Sequence, residues 1–318
     1  MFSEDLASIP SFARAYINHL GLINKSINTQ IAYTQELKLF FQFLCNSTPG
    51  FPASPVNISL SQMQLIQHQD IEAYLSWVRN ERGNGVRALA RKQAVIRSLY
   101  RYLLREELVT KDITVKLDQI QVTQKLPKAL EPEQIAQLAD ILETGTGLTQ
   151  GQLKYHMFTE KRDYAIVLIF IGTGMRLSEL CNINLQNIDF NKGCLEVIRK
   201  GNKETNIFFN DEIAVALKDY IENERPRYAQ NKPEALFLSI QGKRISKRAV
   251  QDLIRKYMDV LKNMGHNTEG FSAHKMRSTF ATLLLRETDN LAIVQDALGH
   301  SDPRTTRIYA KVLDEQLR

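Results

Sequence analysis

Apolar residues recur every three to four positions along most of this chain, and one short segment breaks the rhythm. From Ser26 the series Ile27, Ile31, Tyr33, Leu37, Phe40, Phe41 and Leu44 follows the period of a helix, with Ser26 or Asn28 as its N-cap. Helical spacing resumes after Asp70 with Ile71, Tyr74, Leu75 and Val78. It returns beyond the Gly83-Asn84-Gly85 turn with Leu89, Val95, Ile96, Leu99, Tyr100, Leu103 and Leu104. Only residues 194–198 and 206–209 read as convincing strands, joined by a turn around Lys200-Gly201-Asn202-Lys203. The pattern predicts a mainly α protein carrying one small β-sheet.

With 318 residues the chain is long enough for two domains, each burying its own core. Residues 114–127 are polar and poorly periodic, as a linker is, and a new helix is expected at Glu131-Pro132-Glu133, with proline in its first turn. The expected division is therefore a helical module over residues 1–122, a linker over 123–130, and a second, mostly helical domain over 131–318. Within the second domain residues 144–156, rich in Gly and Thr, read as a loop. A buried helix is expected over 164–172, and further helices over 212–224, 246–264, 273–286, 291–298 and 303–312.

The net charge of +6 suits a polyanionic partner, but its distribution says more. Arg79, Arg82, Arg87, Arg91, Lys92, Arg97, Arg101 and Arg105 are opposed in their stretch by Glu81 alone, and Lys243, Arg244, Lys247 and Arg248 form a second cluster. Two basic stretches on two domains predict a protein that grips DNA from two sides. No apolar run approaches the roughly 20 residues that span a bilayer, and Glu4 and Asp5 are unlike a signal peptide, so the expected location is the cytoplasm. Cys45, Cys181 and Cys194 lack metal-ligand spacing and read as small buried hydrophobes.

Five segments of the second domain carry residues suited to phosphate chemistry, and together they resemble the tyrosine recombinase (phage integrase) family, most closely its short Xer-like members. Gly172-Thr173-Gly174-Met175-Arg176-Leu177-Ser178-Glu179-Leu180 is similar to the segment bearing the family's first catalytic arginine, here Arg176. Arg199-Lys200-Gly201-Asn202-Lys203-Glu204 resembles the segment of the catalytic lysine, which maps to Lys200, with Lys203 as the alternative in the same turn. His274-Lys275-Met276-Arg277, Leu298-Gly299-His300-Ser301 and Thr305-Thr306-Arg307-Ile308-Tyr309 match the remaining motifs in family order. The resemblance implies a SAM-like, core-binding helical domain followed by a mixed α/β, mostly helical catalytic domain. Tyr309 is then the nucleophile, and Arg176, Lys200, His274, Arg277 and His300 complete the catalytic set.

The chemistry of these residue types agrees. Arg176 and Arg277 offer planar forks of donors for a phosphate, and hold it more strongly as charge develops in the transition state. Lys200 is expected to protonate the leaving 5′ oxygen. His274 serves as general base or as a hydrogen-bond partner of Tyr309, and His300 donates to a non-bridging oxygen. Glu179 is expected to orient its neighbours. A phenol with a pKa near 10 needs such help to act as a nucleophile. No metal or other cofactor is required where arginines and a lysine supply the electrostatic stabilisation.

The resemblance also implies DNA contacts by Thr29, Arg87, Arg91, Lys92 and Arg97 in the first domain and by Lys243, Arg244, Lys247 and Arg248 in the second. The partner is double-stranded recombination-site DNA, and the assembly a homotetramer or a tetramer shared with a paralogous recombinase. The implied task is chromosome dimer resolution or integration and excision of a mobile element. Three departures stand out. Ser278 follows Arg277 where the family often has histidine, residues 144–161 read as an insertion, and the chain ends nine residues after Tyr309. A type IB topoisomerase-like enzyme and a non-enzymatic DNA-binding regulator are the rival readings.

Overall fold

The computed structural model describes residues 2–123, 127–199, 203–230, 233–299 and 309. It divides into two compact units, Met1–Thr123 and Gln124–Arg318.

The first unit is built from helices α1 (Phe2–Ala7), α2 (Ser11–Leu22), α3 (Ile27–Ser47), α4 (Leu60–Leu65), α5 (His68–Asn80) and α6 (Val86–Arg105). Ser26 starts α3 as expected, its hydroxyl accepting the Thr29 N–H at 3.2 Å. The core joins Tyr16, Leu37, Phe40, Phe41, Tyr74, Leu99 and Tyr100, all at most 2% exposed. Phe40 meets Tyr74 edge to face with ring centroids 5.1 Å apart. The polar stretch from Thr114 does not begin as a free tether. Ile113 and Leu117 join this core, Gln93 donates to the Asp118 carbonyl at 2.7 Å, and Arg97 donates to that of Leu117 at 2.6 Å.

The second unit contains α7 (Pro132–Thr144), α8 (Gln150–Thr173), α9 (Leu177–Asn182), strands β1 (Ile188–Asp189), β2 (Cys194–Arg199) and β3 (Lys203–Phe208), then α10 (Asp211–Asp219), α11 (Lys247–Asn263), α12 (Ala273–Thr288) and α13 (Leu291–Leu298). The strands form one antiparallel sheet in the order β1-β2-β3, with Arg199 opposite Lys203 at the hairpin end. Leu130, inside the expected linker, is buried in this unit's core, and its N–H donates to Thr279 Oγ1 at 3.0 Å.

The expected loop after Thr144 is instead mostly helix. Thr149 caps α8 in a capping box with Gln152, so one continuous helix carries the stretch into the apolar segment at Ile166, Ile169 and Phe170. At its far end Gly174 takes the left-handed conformation (φ +61°), and a Cβ there would lie 2.3 Å from the Phe280 ring. Glycine thus both turns the chain and lets α8 approach α12. Conversely, the helix expected over 212–224 ends as α10 at Asp219, and a π-helical turn covers Tyr220–Glu224. The helix expected over 303–312 lies outside the described residues except at Tyr309.

Candidate active site

The turn after α8 delivers Arg176 to the N-cap of α9. Its backbone N–H donates to Glu179 Oε2 at 2.9 Å and its guanidinium to Glu179 Oε1 at 2.7 Å. Glu179 thereby holds both the backbone and the side chain of Arg176. The Arg176 side chain remains 38% exposed, so part of its donor fork is open to a ligand.

Arg277, one turn into α12, is 4% exposed. Its guanidinium donates to the Gly174 carbonyl and to the Leu298 carbonyl, tying the turn after α8 to the end of α13. Burial first, and then the neighbouring Arg176, lower its pKa from 12.5 to about 10; Glu179 opposes the shift, Arg199 adds to it, and Tyr309 opposes it. The shift comes mainly from burial, and the neighbouring Arg176 adds to it. His274 sits on the first turn of α12, open to solvent. Partial burial, then Arg277, Lys275 and Arg176, hold its imidazole below the usual value, favouring the neutral ring that can accept a proton.

Tyr309 is 4% exposed and packs with Ala281, Leu285, Val294 and Leu298 of α12 and α13. The structure therefore gathers Arg176, His274, Arg277 and Tyr309 around the junction of α8, α12 and α13. Lys200 and His300 lie outside the described residues. Of the alternative lysine, Lys203, only the backbone in β3 is described. Arg199 was missed by sequence reasoning. Its side chain is 10% exposed with Nε 3.9 Å from Glu179 Oε1, a contact between β2 and α9 that no local pattern announces. Among the described residues no group of three or more His, Cys, Asp or Glu side chains is arranged to hold a metal. No helix among them is long and apolar enough to cross a membrane.

The proposed DNA contacts divide. Arg87, Arg91, Arg101 and Arg105 are exposed along one stripe of α6, because their spacings of four, ten and four residues return to the same face. Lys92 does not belong with them. It is 5% exposed and its ammonium is bound to Glu36, whose other oxygen takes Arg91 at 2.5 Å. This is a correction: the residue read as a DNA contact is half of a buried ion pair. Arg97 is half-buried and committed to the Leu117 carbonyl. The Thr29 hydroxyl lies 2.9 Å from that of Ser26 at the start of α3. In the second unit Lys243 and Lys247 are exposed. Arg244 donates to the Cys181 and Ile183 carbonyls and to Asn184 Oδ1, a staple between segments. Arg248 pairs with Asp252 at 3.0 Å.

The family model described as the phage integrase family matches residues 128–316 of the chain, and that of the phage integrase N-terminal SAM-like domain matches residues 13–107. The chain belongs to the phage integrase family. It is similar to the tyrosine recombinase XerC of Caldanaerobacter subterraneus subsp. tengcongensis, with 37% identity covering 97% of this chain and 85% of that protein. It is 31% identical to the tyrosine recombinase XerD of Staphylococcus saprophyticus, over 92% of this chain and 90% of the relative. Its fold resembles that of the XerH site-specific recombinase bound to palindromic difH substrate, with a TM-score of 0.70 and 20% identity, covering 92% of this chain and 79% of the other. A mainly α architecture with a helical first domain and a small sheet in the second is thus the fold of this family.

Proposed function

We propose that the protein is a site-specific DNA recombinase that cuts and rejoins strands through a 3′-phosphotyrosyl link on Tyr309. The phenolic oxygen attacks the scissile phosphorus, the bond to the 5′ oxygen breaks, and the leaving strand departs as a 5′-hydroxyl. The phosphodiester energy is kept in the protein–DNA bond. A 5′-hydroxyl from the partner duplex then reverses the step, exchanging strands through a Holliday junction.

Arg176 and Arg277 hold the non-bridging oxygens, and their hold strengthens as the phosphorane gains charge. Neutral His274 accepts the phenolic proton or hydrogen-bonds the nucleophile. Lys200 is assigned to protonating the leaving oxygen and His300 to a non-bridging oxygen. The exposed stripe on α6, with Thr29, and Lys243 and Lys247 of the second unit, are assigned to DNA, mostly to phosphates. The working assembly is a tetramer on two sites, of this chain alone or with a paralogue.

The observation that carries the reading is Arg277. It is a buried cation whose acceptors are two carbonyls, beside a second arginine and the tyrosine. The test is incubation with a nicked suicide substrate bearing the cognate site, in EDTA. A covalent adduct forms with the parent protein and is lost in Tyr309→Phe, while DNA binding persists. An adduct with the Phe variant, or an absolute need for metal, refutes the mechanism.

A further inference from the structure

Arg199 ends β2 and has no part in the scheme above. A guanidinium buried this deeply ordinarily has short, well-aligned acceptors. Arg199 does not. One terminal nitrogen is 3.4 Å from the Ala297 carbonyl, and Nε has no hydrogen-bond partner among the described residues. The nearest carboxylate oxygen is Glu179 Oε1 at 3.9 Å, already occupied by Arg176 at 2.7 Å.

The side chain lies against the end of α13. Gly299, in the left-handed region (φ +59°), lies directly beneath it, and a Cβ there would fall 1.5 Å from an Arg199 terminal nitrogen. Any other residue at 299 forces the guanidinium away. Arg277 holds the adjacent Leu298 carbonyl, so two arginines brace the same end of α13. Burial disfavours the Arg199 charge, Glu179 favours it, and Arg176 disfavours it.

This arrangement matters when phosphate arrives. If Arg176 turns its fork from Glu179 toward the scissile phosphate, the Glu179 carboxylate, only 5% exposed, loses its charged partner and keeps the Arg176 backbone N–H. An unpaired buried carboxylate opposes that movement. We propose that Arg199 is a positioning residue that takes over Glu179 as Arg176 engages the scissile phosphate. Its Nε stands about 0.7 Å beyond hydrogen-bonding range of the oxygen it would receive, and a small rotation of Glu179 closes the gap. The same motion satisfies the unpartnered Arg199 nitrogen. The inference rests on the reading of Arg176 as a phosphate clamp.

The experiment compares single-turnover adduct formation, at saturating protein, on two suicide substrates. One carries the natural phosphodiester at the cleavage position and the other a neutral methylphosphonate, which has less negative charge to clamp. Arg199→Gln is expected to slow the phosphodiester reaction by roughly tenfold or more and the methylphosphonate reaction by less than about threefold. Arg199→Lys, which keeps a cation near Glu179, is expected to recover most of the loss, and keeps the test available if Arg199→Gln does not fold. DNA affinity is expected to change less than about twofold.

A merely structural arginine slows both substrates by the same factor, and that result overturns the inference, as does a phosphodiester loss below twofold. Arg176→Ala is run alongside. If its defect is not relieved on the methylphosphonate, the clamp reading falls and takes this inference with it. If Arg176→Ala is relieved and Arg199→Gln is not, the clamp stands and the assignment of Arg199 alone is wrong.

Discussion

Glu224→Gln should remove a pH dependence that the parent protein builds into its second unit. Glu224, at the end of the π-helical turn after α10, is 2% exposed. One carboxylate oxygen accepts the Lys161 backbone N–H at 2.9 Å, and the other has no partner among the described residues. Burial raises its pKa from 4.5 to about 7, with Asp163 adding to the shift and the Lys161 N–H and Arg162 opposing it. Between those values the folded protein binds more protons than the unfolded chain, so stability falls as pH rises through the window. The destabilisation is slight at pH 5 and nearly complete at pH 8. Linkage over that span gives a loss of about 2.5 kcal/mol, which a glutamine cannot share.

The glutamine brings a cost of its own, because its amide N–H groups need acceptors, but that offset of about 1–3 kcal/mol does not vary with pH. The informative quantity is therefore the parent-to-variant difference as a function of pH. Urea unfolding followed by far-UV circular dichroism at pH 5, 6, 7 and 8 measures it. The single tryptophan, Trp77, lies in the first unit, so its fluorescence follows that unit alongside the circular dichroism. A parent-to-variant difference constant to within about 0.5 kcal/mol over this range refutes the argument.

Arg277→Met tests whether that buried cation is there for chemistry. Holding its pKa near 10 instead of 12.5 costs about 3 kcal/mol in the empty site, which offsets the loss of its two carbonyl bonds; the variant should lose no more than about 2 kcal/mol of stability but about 10²–10³-fold in adduct formation. Melting and single-turnover assays check the pair, and a variant that cleaves within tenfold of the parent sinks the idea. Lys92→Met should cost about 3 kcal/mol by stripping Glu36 of a buried partner, with the salt dependence of DNA binding unchanged. Arg87→Ala should do the reverse, leaving the melting temperature alone and reducing the slope of log affinity against log salt by about 1.

What the sequence disclosed was what is decided locally. The start of α3 was legible because Ser26 and the Ile27–Leu44 period lie within a few turns of one another. The β2–β3 hairpin was legible for the same reason. The first turns of α8 were not. Tyr155, Met157 and Phe158 are exposed there, so no apolar stripe marks the helix, while His156 is held from across the unit by Tyr257 at 3.2 Å. Lys92 misled because its charge reads as surface until Glu36, more than fifty positions away, is brought against it. Arg199 is the same case within the site. It lies beside a recognisable motif, yet its surroundings are made by α9 and the turn after α13.

Two sets of cations in this protein are in contrasting physical situations, and the contrast bears on how the site is assembled. Those on the α6 stripe and at Lys243 and Lys247 are hydrated and screened beyond about 8 Å at physiological salt; they suit attraction and loose positioning of a polyanion. Arg176, Arg199 and Arg277 are drawn together around one carboxylate, Glu179, where burial and mutual repulsion lower the pKa of both Arg199 and Arg277. Such a group is held only by the framework, and the framework here consists of backbone carbonyls at the ends of elements: Gly174 after α8 and Leu298 closing α13. The proposed clamp therefore exists only when α8, α12 and α13 are packed. Because Tyr309 packs on α12 and α13 as well, the proposed nucleophile and the charge proposed to activate it depend on the same contacts, and an unfolded or loosened second unit loses both together.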